Sequence, residues 1–216
     1  MALAGLWEQL ESQGYAVIPA GLPTPMVAQL YACVQELDDS AFNPAMVGRI
    51  STQQRNELVR TDAIHWIDGV KPATQTYLQA MEDVRQQLNR QLFLGLFEYE
   101  CHFARYLPGC FYRRHLDAFR GDTNRVVSSV LYLNPDWAAA DGGELVLYTD
   151  SGAAAGVGQN GAGSPAAVRV LPTFGTMVFF LSEKFPHEVL PARRTRYSIA
   201  GWFRINRMAP ANMSSA

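Results

Sequence analysis

TMVFFLSEKFPHEVLPARRTRYSIAGWF, residues 176–203, holds two runs with the texture of strands around a middle piece closed by proline. TMVFFL is short, apolar and rich in β-branched and aromatic residues. Pro191 predicts an interruption soon after His187, and PARR predicts a turn. The run that follows places Arg196, Ser198, Ala200 and Trp202 on one face and Tyr197, Ile199, Gly201 and Phe203 on the other. Outward from this stretch the pattern repeats. EYECHFARYL, VVSSVLYLN, GELVLYT and AAVRVL are short strand-like segments, separated by PG, NPD, DGG and PTFG turns. No helical pattern falls between them, which predicts an antiparallel double-sheet jelly roll rather than a parallel sheet. SGAAAGVGQNGAGS, residues 151–164, reads as a flexible loop between barrel strands.

Upstream the period changes from two to 3.6. Leu3, Leu6, Trp7 and Leu10 predict a helix stopped by Gly14, and GYAVIP a short strand. Thr24 reads as a helix cap with Pro25 at the first helical position, and Met26, Leu30, Tyr31, Val34 and Leu37 as the apolar stripe. Periodicity lapses from Asp38 to Arg60. A longer helix follows, with Tyr77, Leu78, Met81, Val84, Leu88 and Leu92 on one side. The expected class is α+β, a double-stranded β-helix (jelly-roll) core with supporting N-terminal helices. Residues 1–95 are expected to carry the helices and a mobile loop packed on the barrel, 96–206 the jelly roll, and 207–216 a tail.

Composition narrows the function classes. The 216 residues are 48% hydrophobic and 18% charged, enough apolar material for a sizeable core. A net charge of −2 and a pI near 6.1 give no global reason to expect nucleic acid. Three cysteines, Cys33, Cys101 and Cys110, show no close metal-ligand spacing and read as reduced thiols. MALAGLWEQLESQG has no basic start, and no apolar run approaches a membrane span. The expectation is a cytoplasmic protein with no membrane partner.

The chemistry is concentrated around four histidines, two of which stand out. In an extended segment His115 and Asp117 point to one face, so imidazole and carboxylate converge. His187, where a neighbouring barrel strand would begin, completes a 2-His-1-carboxylate set that suits non-haem Fe(II) and leaves open positions. A zinc site would more often be closed or richer in His and Cys. His65 and His102 compete as ligands, but neither has a carboxylate two residues away, and His102 reads as a core or wall residue. If the Arg196 face lines the barrel, a guanidinium sits in an apolar pocket and needs an anion, for which its planar fork suits a carboxylate. Tyr132 on VVSSVLYLN could reach the same anion. Phe179, Phe180, Val130 and Trp202 are candidates for a dry wall.

LVRTDAIHWIDG, RYLPGCFYRRHLDAF, RVVSSVLYLNPDW, DGGEL and PHEVLPARRTRYSIAGWF, taken together, resemble the Fe(II)- and 2-oxoglutarate-dependent prolyl hydroxylases related to the hypoxia-factor hydroxylases, and above all their bacterial cytosolic members. The resemblance implies His115, Asp117 and His187 as iron ligands. It implies Arg196 as the clamp on the distal carboxylate of 2-oxoglutarate, with Tyr132 and Tyr106 beside it. It implies Arg60, Asp62, Trp66, Arg125 and Trp202 along a substrate groove, and Ala41 to Arg60 as a finger loop over a peptide. Fe(II), 2-oxoglutarate, dioxygen and ascorbate as reductant come with it. So does the reaction, C4 hydroxylation of a prolyl residue, with the switch I loop of elongation factor Tu as the substrate of bacterial members. Related halogenases lack the carboxylate ligand, so Asp117 favours hydroxylation.

Other readings remain open: the same chemistry on another protein or a free amino acid, a nucleic-acid demethylase, a non-catalytic jelly-roll module, or a zinc hydrolase. A hydrolase wants a general base beside the metal, and Asp122 and Glu188 are the nearest acids in sequence. A binding module has no need of the triad together with Arg196.

Overall fold

The structure, a computed structural model, describes residues 3–45, 58–118, 124–149 and 166–206. Among them are three α-helices, α1 (Leu6–Gln13), α2 (Thr24–Gln35) and α3 (Pro72–Leu92). The first half of the chain also contributes strands β1 (Tyr15–Ile18), β2 (Asn43–Pro44) and β3 (Ala63–Trp66). The second half holds β4 (Leu96–Tyr106), β5 (Tyr112–His115), β6 (Arg125–Tyr132) and β7 (Leu145–Tyr148). It continues with β8 (Ala167–Val170), β9 (Met177–Leu181), β10 (His187–Val189) and β11 (Arg196–Ile205).

Local chemistry accounts for the helix ends. Gly14 adopts φ 82°, open to glycine without strain, and returns its N–H to the Leu10 carbonyl at 3.0 Å. The start of α2 differs from expectation by one position. Pro23 is the cap, Thr24 is already helical, and no side chain caps the end. Pro25 then falls on the second helical residue, where its missing N–H still costs nothing. The buried stripe of α2 is Val27, Leu30, Cys33 and Val34, with Met26, Tyr31 and Leu37 partly covered. On α3 the buried set is Thr74, Tyr77, Ala80, Met81, Val84 and Leu88.

The strands form two antiparallel sheets, as the alternating segments predict. The larger has the order β1-β9-β6-β11-β4-β3-β2 and the smaller β5-β10-β7-β8. Period two divides the larger sheet's side chains between two cores. Phe103, Val127, Leu131, Phe179, Ile199 and Phe203 face the helices. Ala104, Tyr106, Tyr132, Val178 and Phe180 face the smaller sheet with Leu145, Leu147 and Val189. Each buried aromatic or aliphatic side chain contributes about 1.5–3 kcal/mol. Of the four residues expected as a dry wall, Phe179 is therefore misplaced: it packs under the helices, and only its neighbour Phe180 turns inward. Cys33, Cys101 and Cys110 are free thiols. No helix among the described residues is long and apolar enough to cross a membrane.

Candidate active site

The smaller sheet brings the two histidines together. β10 pairs antiparallel with β5, and His187 lies directly opposite His115. Asp117 sits two residues beyond the end of β5, in a turn rather than in the extended segment expected for it. Strand alternation therefore does not orient it. Ser128 of β6 does, donating its hydroxyl to Asp117 Oδ2 at 2.6 Å. The result is a tight cluster: His115 Nε2 is 3.6 Å from Asp117 Oδ1 and His187 Nε2 is 3.7 Å from Oδ2.

Both imidazoles are fixed in the same tautomer by the same device. His115 Nδ1 lies 2.8 Å from the Arg113 carbonyl and His187 Nδ1 lies 3.0 Å from the Phe185 carbonyl, each two residues earlier in the chain. A carbonyl only accepts, so Nδ1 carries the proton and Nε2 presents a lone pair. Burial lowers the His187 pKa to about 4, with the charge of Asp117 opposing it. For Asp117 burial acts upward, but His187, His115 and the Ser128 hydroxyl outweigh it and hold the carboxyl well below the usual range. Two imidazole nitrogens and a carboxylate thus converge within 4.8 Å, a donor set that suits a divalent cation.

Beside this cluster is a second cradle. Arg196 is 1% exposed; its Nε donates to the Gly143 carbonyl at 3.0 Å and its Nη1 to Ser198 Oγ at 3.2 Å. Its guanidinium carbon lies 5.0 Å from the ring centres of both Tyr106 and Tyr132. No carboxylate among the described residues pairs with it. Gly143, at φ 73°, is where the DGG turn makes its close approach: a Cβ there would lie 2.9 Å from Ala192 Cβ and 3.3 Å from Arg196 Cδ. The Tyr132 hydroxyl is buried without a partner, and burial raises its pKa to about 12 against the pull of Arg196, so it stays a donor. Trp202 Nε1 is a second buried donor with no partner. A buried cation and unused donors on one face describe a place for an anion.

Known proteins are similar to this chain in sequence and fold. The model of the 2OG-Fe(II) oxygenase superfamily matches residues 101–204. A solved prolyl-4-hydroxylase from Pseudomonas putida is 41% identical and covers 95% of this chain and 100% of its own, with a TM-score of 0.81. The chain belongs to the prolyl hydroxylase family of 2OG-Fe(II) oxygenases. A family member from Trichoplax adhaerens, solved with a hypoxia inducible factor oxygen degradation domain peptide fragment, is 27% identical. It covers 92% of this chain and 87% of its own, with a TM-score of 0.75. Human Egl nine homolog 1 is 31% identical over 156 residues, 67% of this chain. The chain spans about a third of the length of that relative, 33%. Family membership implies Fe(II), 2-oxoglutarate and dioxygen, and the His115–Asp117–His187 cluster fits the iron.

The five groove residues expected from the family resemblance fall in two arms around this centre. In one, Arg60 pairs with buried Asp62 at 2.6 Å and lies 4.1 Å over the Tyr112 ring. Tyr112 in turn stacks on His115 at 3.5 Å. In the other, half-exposed Trp66 meets His102 edge-on at 5.1 Å, and His102 lies 5.4 Å from Trp202. Arg125 covers the Trp202 ring at 3.7 Å and pairs with Glu100 at 2.9 Å. Phe180 packs edge-on against His187 at 4.7 Å. The competing histidines stay out of the metal cluster: His65 Nδ1 bonds the Ala41 carbonyl, and His102 is buried between Trp66 and Trp202.

No base for hydrolysis is found beside the metal cluster among the described residues. Glu188 alternates away from His187 and accepts a hydrogen bond from the Tyr148 hydroxyl. Asp122 lies outside the described residues, as does the Gly-rich stretch 151–164. The finger-loop segment is described only at its ends, where the Ala45 N–H bonds Asp62 and the Val59 carbonyl accepts from Arg113 beside the metal cluster. Sequence reasoning missed Ser128, Ser182, Tyr112, Glu100 and Gly143. For Ser128 a signal was present: it shares the inward face with Tyr132, four residues on.

Proposed function

We propose that this chain is a prolyl 4-hydroxylase acting on a proline-bearing loop of a protein, with the switch I loop of elongation factor Tu as its substrate. The observation that carries the reading is the pairing of a 2-His-1-carboxylate cluster with a buried arginine that has no carboxylate partner among the described residues. The 41% identity to the Pseudomonas putida prolyl-4-hydroxylase over that whole chain supports the residue acted on.

In this reading His115, Asp117 and His187 hold Fe(II), and Arg196 grips the distal carboxylate of 2-oxoglutarate with Tyr132 donating to the same end. Tyr106 packs against the guanidinium and excludes water from it. Bound iron supplies the chemistry that couples oxidative decarboxylation of 2-oxoglutarate by dioxygen to hydroxylation of a C–H bond, with ascorbate keeping it ferrous. Phe180, Val130 and Trp202 keep bulk water out. Arg60, Asp62, Trp66, Arg125 and Trp202 orient the peptide. Residues 96–206 carry the chemistry and residues 1–95 supply the supporting helices and the substrate loop, while 207–216 lie outside the described residues.

The test is direct. Protein loaded anaerobically with Fe(II) is given 2-oxoglutarate, air and elongation factor Tu, and the products are mapped by mass spectrometry. One added oxygen on a switch-loop proline, absent with His115→Ala, is the expected result. Succinate without oxygen on that protein removes the substrate and keeps the oxygenase. If neither product forms, the reading is overturned.

A further inference from the structure

One buried polar group beside the metal cluster has no part in the scheme above. Ser182, fully buried just past the end of β9, places its hydroxyl 2.9 Å from that of Ser128, itself 1% exposed. Each serine has one proton to give. Ser128 gives its own to Asp117 Oδ2, so Ser182 must be the donor in the Ser182–Ser128 contact. The two hydroxyls thus point one way, Ser182 to Ser128 to Asp117, and aligned bonds of this kind strengthen one another at low dielectric.

The alignment discriminates between the two oxygens of the carboxylate. Each oxygen lies near one ligand nitrogen, Oδ1 3.6 Å from His115 Nε2 and Oδ2 3.7 Å from His187 Nε2, but Oδ2 alone is engaged by a hydroxyl donor, Ser128 at 2.6 Å. We propose that Ser128 and Ser182 are positioning residues that engage Asp117 Oδ2 and so leave Oδ1 as the single carboxylate ligand atom for the metal. The inference rests on the metal reading of the site. Its benefit to the reaction is an uncrowded metal: a carboxylate that used both oxygens would occupy a position needed by a cosubstrate.

Anaerobic Co(II) titration of the whole chain, followed by visible absorption, tests this without turnover. Ser128→Ala is expected to weaken Co(II) binding about 10–100-fold, the range for loss of an outer partner of a ligand. It is also expected to alter the Co(II) spectrum, because the released Oδ2 can join the metal. Ser128→Thr, which keeps the hydroxyl, should restore both. Ser182→Ala, which leaves Ser128 in place, should give a smaller loss of a few-fold. Affinity within twofold of wild type and an unchanged spectrum for Ser128→Ala overturn the proposal. An unaffected Ser182→Ala overturns its two-hydroxyl form. Wild-type protein that takes up no Co(II) overturns the metal reading as well, so the two failures are told apart.

Discussion

Ser128 and Ser129 are neighbours on β6, and their hydroxyls end in opposite kinds of place. Ser129 faces the helices. It donates to the Gly201 carbonyl at 3.3 Å, accepts from Tyr99 at 3.0 Å, and Tyr99 accepts from Tyr77 of α3 at 2.9 Å. That chain closes on a backbone carbonyl. Ser128 faces the smaller sheet and ends on a carboxylate that still has lone pairs to offer, beside two more on His115 and His187. On the same face lie the unpartnered Tyr132 hydroxyl, the unpartnered Trp202 N–H and an arginine that no acid among the described residues meets. Folding alone favours satisfied polar groups in an interior. A face that stays unsatisfied is shaped for something other than the chain itself.

Three measurements break or sharpen that contrast. The largest effect is expected at Arg196. Replacing it by methionine removes a buried charge with no counter-ion among the described residues, so the ligand-free protein should unfold no earlier than wild type. Its affinity for 2-oxoglutarate should fall by about 100-fold, or about 3 kcal/mol. Thermal unfolding with and without the keto acid reads both, and an early-unfolding Arg196→Met protein that still binds normally ends the comparison.

A smaller effect concerns His102, also on the open face. Burial lowers its pKa to about 4 from an ordinary 6.5, with Arg60 and Arg125 acting in the same direction and Asp62 against them. The unfolded chain therefore takes up a proton at a pH where the folded chain does not. Stability is complete above pH 6.5 and declines as pH falls towards 4, by about 3 kcal/mol at most from this group. Denaturant midpoints at pH 7 and 4.5, compared with a His102→Gln variant, isolate it. An equal decline in the variant rules His102 out.

The smallest lies on the closed face. Tyr77→Phe removes the first donor of the Tyr77–Tyr99–Ser129 chain and should cost about 1 kcal/mol of stability, leaving metal and 2-oxoglutarate affinity unchanged. A loss of either affinity in this variant would mean that the two faces are not independent.

Much of this was legible before any coordinates. The 3.6-residue stripe from Tyr77 to Leu88 located α3, and alternation from Arg196 to Trp202 assigned the inward face of β11 correctly. Alternation also had the means to separate Phe179 from Phe180, since adjacent strand residues cannot share a face. His115 and Asp117 do converge, but not through strand spacing, because Asp117 has left the strand and is held by Ser128 from the opposing sheet. That cause depends on register between segments, and a lone serine carries no mark of what lies opposite. Ser182, on another strand's end, is invisible for the same reason. The pairing of Tyr15 with Phe180 is likewise absent from any local pattern.

The position of β11 in the larger sheet sets a condition on how the chain is made. It lies between β6 and β4, yet among the described strands it is the last to be synthesised. Until it arrives, β1-β9-β6 and β4-β3-β2 are two separate ribbons, each presenting an unpaired edge to whatever strand is near. Non-local pairing of this kind closes slowly. An interrupted or truncated chain is thus left adhesive as well as inactive, and the segment that seals the sheet is the one that delivers Arg196.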